Sequence, residues 1–258
     1  AAKDSLIYNG TDLKANYTIT TLDAASTAFA ATLNGGIEDD THEITMGKAQ
    51  TNVTVKGDLG LGTNKVEVKG VATPSATALT VDVSALKNST TTIDLSAAAT
   101  ATTNYTVVGS DGVDTIKMAV GTGAVTNTIT AGKGADIITL GATGAKDTIV
   151  IAAGDTGATL ATADKITGFI TTQDSLKLGV AGTASNYATA NGAANFAAST
   201  AAANTAFDGT VKYYLATGNL DAAANALLYI DNDLDGTFDA VVSLVGVAAA
   251  GFAATDII

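Results

Sequence analysis

The sequence predicts an all-β protein: a parallel β-solenoid of short strands with minor helical insertions and a C-terminal β-hairpin region. Three observations predict it. An apolar, any, apolar unit recurs roughly every ten to fifteen residues through the middle of the chain. The segments between units are rich in Gly, Asn, Asp and Thr, the residues of tight turns. The 47% hydrophobic fraction is mostly Ala and Val, with aromatics at 5% and no Trp, which suits thin stacked layers better than one bulky centre.

Along the chain, Leu22 to Leu33 is Ala-rich and ends in Asn34-Gly35-Gly36, which reads as a short helix with a glycine stop. The repeated units follow: Val53-Thr-Val55, Val66-Glu-Val68, Val81-Asp-Val83, Ile93-Asp-Leu95 and Tyr105-Thr-Val107. Four more are Ile116-Lys-Met118, Thr128-Ile-Thr130, Ile138-Thr-Leu140 and Ile149-Val-Ile151. Strict alternation over so few residues predicts half-buried strands. Single units are too poor in large apolar groups to stand alone, so stacking is favoured, with an antiparallel sandwich as the alternative for residues 1 to 108. Ala188 to Ala206 reads as a weak surface helix or an inserted loop, and strands return at Val211 to Leu215, Leu227 to Asp231 and Ala240 to Val245. These divisions give three regions: a β-rich repeat segment over 1–108, a glycine- and aspartate-rich segment over 109–178 and a C-terminal β region over 179–258.

Thirteen basic residues face twenty-five acidic ones, a formal net charge of −12. Such a surface repels phosphate backbones, so nucleic acid is excluded as a partner, while cations are concentrated. Cysteine is absent, which removes disulfides and thiolate chemistry. The start, Ala1-Ala2-Lys3-Asp4, lacks an initiator Met and an apolar signal core and reads as a fragment or processed product. The uncharged run near the C-terminus, Ala240 to Thr255, is too short and too interrupted by Ser243, Gly246 and Gly251 for a membrane span, so no transmembrane segment is expected.

The sharpest motifs are Gly109-Ser-Asp111-Gly112-Val-Asp114-Thr-Ile116 and Ala131-Gly132-Lys-Gly134-Ala-Asp136-Ile-Ile138. Each fits a glycine-rich nonapeptide, G-G-x-G-x-D-x-U-x, with one small-residue substitution. Glycines let the backbone turn sharply and aim carbonyl oxygens inward, the Asp adds a carboxylate, and the large apolar U is buried inside the coil. Two stacked turns then supply the six or more oxygens that a calcium ion takes. A third copy, Gly141 to Ile149, has Gly144 and Asp147 with one extra residue, and a fourth, Gly60 to Val66, has Asn64 in place of Asp. All four also read as plain turns joining strands, with Asp present for its own turn chemistry.

Residues 109 to 151 resemble the RTX calcium repeats of proteins exported by type I secretion. Ala163-Asp164-Lys-Ile166-Thr-Gly168-Phe169, followed by Asp174-Ser-Leu176-Lys-Leu178, is similar to the D-x-I-x-x-F and D-x-L-x-L stretch that often follows such repeats. Asp256-Ile257-Ile258 looks like the end of an uncleaved export signal. The resemblance covers roughly 109 to 258 and implies an RTX-like β-roll that binds Ca²⁺. Its sparse copies resemble those of bacterial S-layer proteins. Asp231-Asn-Asp233-Leu-Asp235-Gly236 matches the opening of an EF-hand loop, but the twelfth position is Val242 rather than Glu, so a hairpin turn and a calcium site both stand as readings.

Catalysis has no constellation to rest on, and the protein is expected not to be an enzyme. The single His42 lies in Glu38-Asp39-Asp40-Thr41-His42-Glu43, which reads as a solvated acidic turn. The expectation is a secreted S-layer component that folds on extracellular calcium and self-associates into a cell-surface lattice. The type I secretion machinery would be its export partner, with lipopolysaccharide or another cell-surface anchor engaged by another part of the protein. The alternative is the C-terminal targeting domain of an exported enzyme or adhesin.

Overall fold

Alternation is the rule that builds this molecule. In the strand Lys65–Lys69, Val66 and Val68 are buried while Lys65 is exposed, and the same in-out pattern recurs strand after strand. The computed structural model describes residues 2–9, 16–19, 26–98, 102–121, 124–141, 144–218, 220, 225–248 and 251–258. The chain divides into two units, Ala1–Lys133 with Gly141–Asp147, and Gly134–Leu140 with Thr148–Ile258.

In the first unit, one sheet contains β1 (Ala2–Asn9), β3 (Ser26–Asn34), β5 (Asn52–Asp58), β7 (Ala78–Lys87), β9 (Asn104–Val108) and β11 (Thr126–Thr130), in that spatial order. The other contains β2 (Asn16–Ile19), β4 (Thr41–Thr45), β6 (Lys65–Lys69), β8 (Thr90–Asp94) and β10 (Asp114–Lys117). Odd strands pair with odd and even with even, always in parallel, so each coil contributes one strand to each sheet. This is a parallel β-solenoid, and it takes in the described strands before residue 109, where a sandwich was the alternative. Thr41 pairs with Lys65 and Lys65 with Thr90, so one coil spans two of the sequence units. Val53, Val66, Val81, Ile93, Val107 and Ile116 are all fully buried and form the layered interior.

Two expectations are corrected here. Leu22 to Leu33, read as a helix, contains instead most of the described strand Ser26–Asn34, with residues 22–25 outside the described residues. Phe29, Ala31 and Leu33 point inward at period two, and pairing with β1 and β5 on either side overrides the helical preference of alanine. His42 and Asp40, read as part of a solvated turn, are 2% and 1% exposed: His42 lies within β4, while Ile37 to Asp39 and Thr41 stay exposed. Burial lowers the His42 pKa, against the opposing pull of Asp40.

The second unit contains β12 (Ile137–Thr139), β14 (Asp164–Thr167) and β15 (Ser175–Lys177), with β13 (Lys146–Val150) pairing with β15 through Thr148 to Val150. Beyond β14 the pattern changes. β19 (Ala240–Val245) lies parallel to β14, then β18 (Asn225–Ile230) and β17 (Tyr213–Gly218) continue antiparallel, and β16 (Tyr187–Ala193) closes the edge. The expected C-terminal hairpin is therefore β18–β19. The segment Ala188 to Ala206 resolves into β16 and one helix, α1 (Phe196–Ala206), capped by Asn195, whose side chain accepts the Ala198 N–H at 2.9 Å. Ala203 and Phe207 pack on Tyr214 and Tyr229, whose hydroxyl lies 2.6 Å from that of Ser199. The tail is folded in as well: Ile258 N–H donates to Leu176 O, and Ile257 is 1% exposed. Among the described residues no helix is long and apolar enough to cross a membrane.

Candidate metal centres

The turn Gly109 to Asp114 joins β9 to β10. Asp114 opens β10 and turns inward, 0% exposed. Its carboxylate accepts the Ser110 N–H at 2.6 Å and the Ser110 hydroxyl at 3.0 Å, and the Ser110 oxygen in turn accepts the Gly112 N–H at 3.2 Å. The turn after β11 stacks on this one. A Cβ on Gly109 would lie 2.0 Å from Ala131 O and 2.6 Å from Asp114 Oδ2, so only glycine leaves room for these two oxygens. Gly132 has φ +100°, and a Cβ there would lie 2.0 Å from Ser110 O. Carboxylate, hydroxyl and carbonyl oxygens thus crowd one corner of two consecutive coils. The donor set is all oxygen, which fits a hard cation such as Ca²⁺. Burial, the largest influence, pushes the Asp114 carboxyl up to about 6 against the hydrogen bonds from Ser110 and Thr91.

Asp111 of the same motif faces outward. It is mostly exposed and pairs with the Lys133 ammonium at 3.3 Å, away from the oxygens that surround Gly109.

In the second unit, Asp136 precedes β12 and Asp164 opens β14. The register Ile137 to Lys165 places the two aspartates on one rung, 0% and 1% exposed. The Asp136 N–H donates to Asp164 Oδ1 at 3.0 Å, while Asp164 Oδ2 is buried with no hydrogen-bond partner among the described residues. The Asp164 N–H is held by Thr156 Oγ1 at 2.9 Å, and Gly134, with φ +136°, donates its N–H to Asp155 O. Burial pushes the Asp164 carboxyl up to about 7; the Asp136 N–H opposes this and the negative charge of Asp155 adds to it. All thirteen basic residues of the chain are lysines, so no guanidinium exists to clamp such a carboxylate.

The degenerate copies have other occupations. Asp147 follows Gly144 (φ +81°), is buried and accepts Asn127 Nδ2 at 2.7 Å, while Asn127 Oδ1 accepts the Tyr105 N–H at 2.9 Å: a side-chain ladder tying three coils. Asn64 accepts the Asp40 N–H and donates to Leu59 O and Asn88 O, so the fourth copy is a turn held by a neutral amide. Asp174 accepts the Ile170 N–H at 2.7 Å.

The loop between β18 and β19 is the hairpin turn that was one of its two readings, and it gathers acidic side chains that could hold a metal ion. Asp231 is 0% exposed and accepts the Leu234 N–H at 2.6 Å and the Gly236 N–H at 3.0 Å. Carboxylate oxygens of Asp231, Asp233 and Asp239 lie within 4.8 Å of one another. Asp239 is the residue that sequence reasoning missed. Its sequence signal is a carboxylate at the ninth loop position, a ligand position of EF-hand loops. Asp235 turns instead toward Thr237, whose N–H and hydroxyl it accepts at 2.8 and 2.6 Å. The Lys212 ammonium donates to Asp231 O and Asn232 O at 2.9 and 2.7 Å, placing one positive charge behind the cluster.

No protein-family model matches the chain, and no curated protein is detectably similar to it.

Proposed function

We propose that this chain is a structural module of a secreted bacterial cell-surface layer of the S-layer type, which folds on extracellular Ca²⁺ after type I export and then assembles with copies of itself. The observation that carries the reading is the placement of Asp114, Asp136 and Asp164. All three carboxylates are turned into coil corners and are at most 1% exposed. A carboxylate removed from water is costly unless a cation or well-aimed donors offset it, and the corner at Gly109 offers further oxygens to such a cation. In low calcium these groups oppose folding, and in millimolar calcium binding is coupled to it. The structural role is supported by a repeat-built scaffold whose interior is layered from Val, Ile and Leu side chains.

Thermal melting in excess Ca²⁺ and in excess chelator tests the reading. The expected result is a large upward shift of Tm with Ca²⁺, together with ordered arrays by electron microscopy in Ca²⁺ alone. Superimposable melting curves would remove the calcium half of the proposal, and dispersed monomers at all calcium concentrations the lattice half.

A further inference from the structure

The two best copies of the nonapeptide differ at its second position: Ser110 stands in the first where Gly132 stands in the second. Ser110 is 2% exposed and its side chain turns onto the aspartate of its own copy. Its N–H donates to Asp114 Oδ2 at 2.6 Å, and its hydroxyl lies 3.0 and 3.1 Å from Asp114 Oδ1 and Oδ2. A carboxylate oxygen only accepts, so the hydroxyl proton is directed at it. The Gly112 N–H, bound to the Ser110 oxygen at 3.2 Å, holds the hydroxyl in that role. One residue thus brings two donors to one buried carboxylate.

The corner in the second unit is built differently. Asp164 is 1% exposed; its Oδ1 accepts the Asp136 N–H at 3.0 Å, while Oδ2 is buried without a hydrogen-bond partner among the described residues. Thr156 has a hydroxyl here, but it accepts the Asp164 N–H and gives its own proton to Val241 O at 2.9 Å, so none reaches the carboxylate. A cation arriving at this corner meets an oxygen whose lone pairs are already open. At Asp114 the same ion must first displace the donors of Ser110, and a hydrogen bond to a charged group is worth about tenfold or more in an equilibrium constant. We infer that Ser110 sets the calcium affinity of the Asp114 corner: its hydroxyl stands in for the cation and makes this the weaker site, with the Asp136–Asp164 corner the tighter. This rests on the calcium reading and adds to it a graded response, in which the corner of the second unit fills at lower calcium than that of the first.

Calorimetric titration of the full chain with Ca²⁺, paired with melting in chelator, tests this on the wild type and on Ser110→Ala, Ser110→Gly and Asp164→Asn. The wild type is expected to show a tighter and a weaker class of site, and Asp164→Asn to lose the tighter. Ser110→Ala is expected to strengthen the weaker class by about tenfold, leave the tighter unchanged and lower Tm in chelator, because Asp114 loses a donor. Ser110→Gly, which installs the residue of the second copy, is expected to strengthen the weaker class as well and serves if alanine is not accommodated. Weaker binding in both Ser110 variants would make the hydroxyl a ligand rather than a stand-in and overturn the inference. Unchanged affinity in both, or loss of the weaker class in Asp164→Asn, overturns it too, while in all three cases the calcium reading stands. A wild type that binds no Ca²⁺ refutes that reading and the inference with it.

Discussion

Replacing Asp164 with Asn removes one ionisable proton and almost nothing else. The Asn carbonyl still accepts the Asp136 N–H, and its side chain fills the same volume between β12 and β14. In the metal-free protein the Asp164 carboxyl is pushed from 3.8 up to about 7. The folded state therefore holds a proton more tightly than the unfolded state does. This contribution favours folding at acid pH, falls away as pH rises from about 4 to about 7, and is flat above. Each pH unit of that interval corresponds to about 1.4 kcal/mol, so an interval of about three sets an upper bound of roughly 4 kcal/mol on the ionic cost at neutral pH. For a chain of this size, relief of even about 2 kcal/mol raises Tm by roughly 4–8 °C. In chelator, the Tm of Asp164→Asn minus that of the wild type should be near zero at pH 4, grow through pH 6 and level off above pH 7. In Ca²⁺ the order narrows or reverses, because the variant has lost a carboxylate that the ion rewards. A variant less stable than wild type in chelator at pH 7.5, with a pH-independent difference, would refute the reasoning that the buried charge is uncompensated without metal.

Two further perturbations probe the corners. Gly132→Ala should lower stability by at least about 2 kcal/mol, seen as a Tm drop in both Ca²⁺ and chelator, because the backbone is left-handed there and the added Cβ meets Ser110 O at 2.0 Å. Asp231→Ala should cost about 2–3 kcal/mol by denaturant unfolding, because it strips the buried acceptors of the Leu234 and Gly236 N–H groups. An unchanged midpoint would mean that water replaces both.

Much of the scaffold was legible because alternation is a local property. All nine apolar units, from Val53-Thr-Val55 to Ile149-Val-Ile151, contribute inward residues to strands β5 to β13. That two such units make one coil was not legible, since parallel pairing such as Thr41 with Lys65 is a contact between distant residues. Ser26–Asn34 was misread because alanine at both inward and outward positions erases the contrast on which the period-two signal depends. In the sites, the inward turn of Asp114 and Asp136 follows from the G-x-D-x-U spacing, which places Asp and U on the same side of a pleat. The outward turn of Asp111 and the pairing of Asp136 with Asp164 depend on stacking that no local pattern encodes, whereas Asp239 stands at the ninth position of the loop, a spacing the sequence does display.

The central claim is that stacked glycine corners hold calcium through Asp114 and Asp136, and calorimetric titration with Ca²⁺ on the wild type and on the Asp114→Ala, Asp136→Ala double variant tests it most directly. The account predicts tight binding by the wild type and loss of at least one tight site in the double variant. Identical stoichiometry and affinity in the two proteins would contradict it.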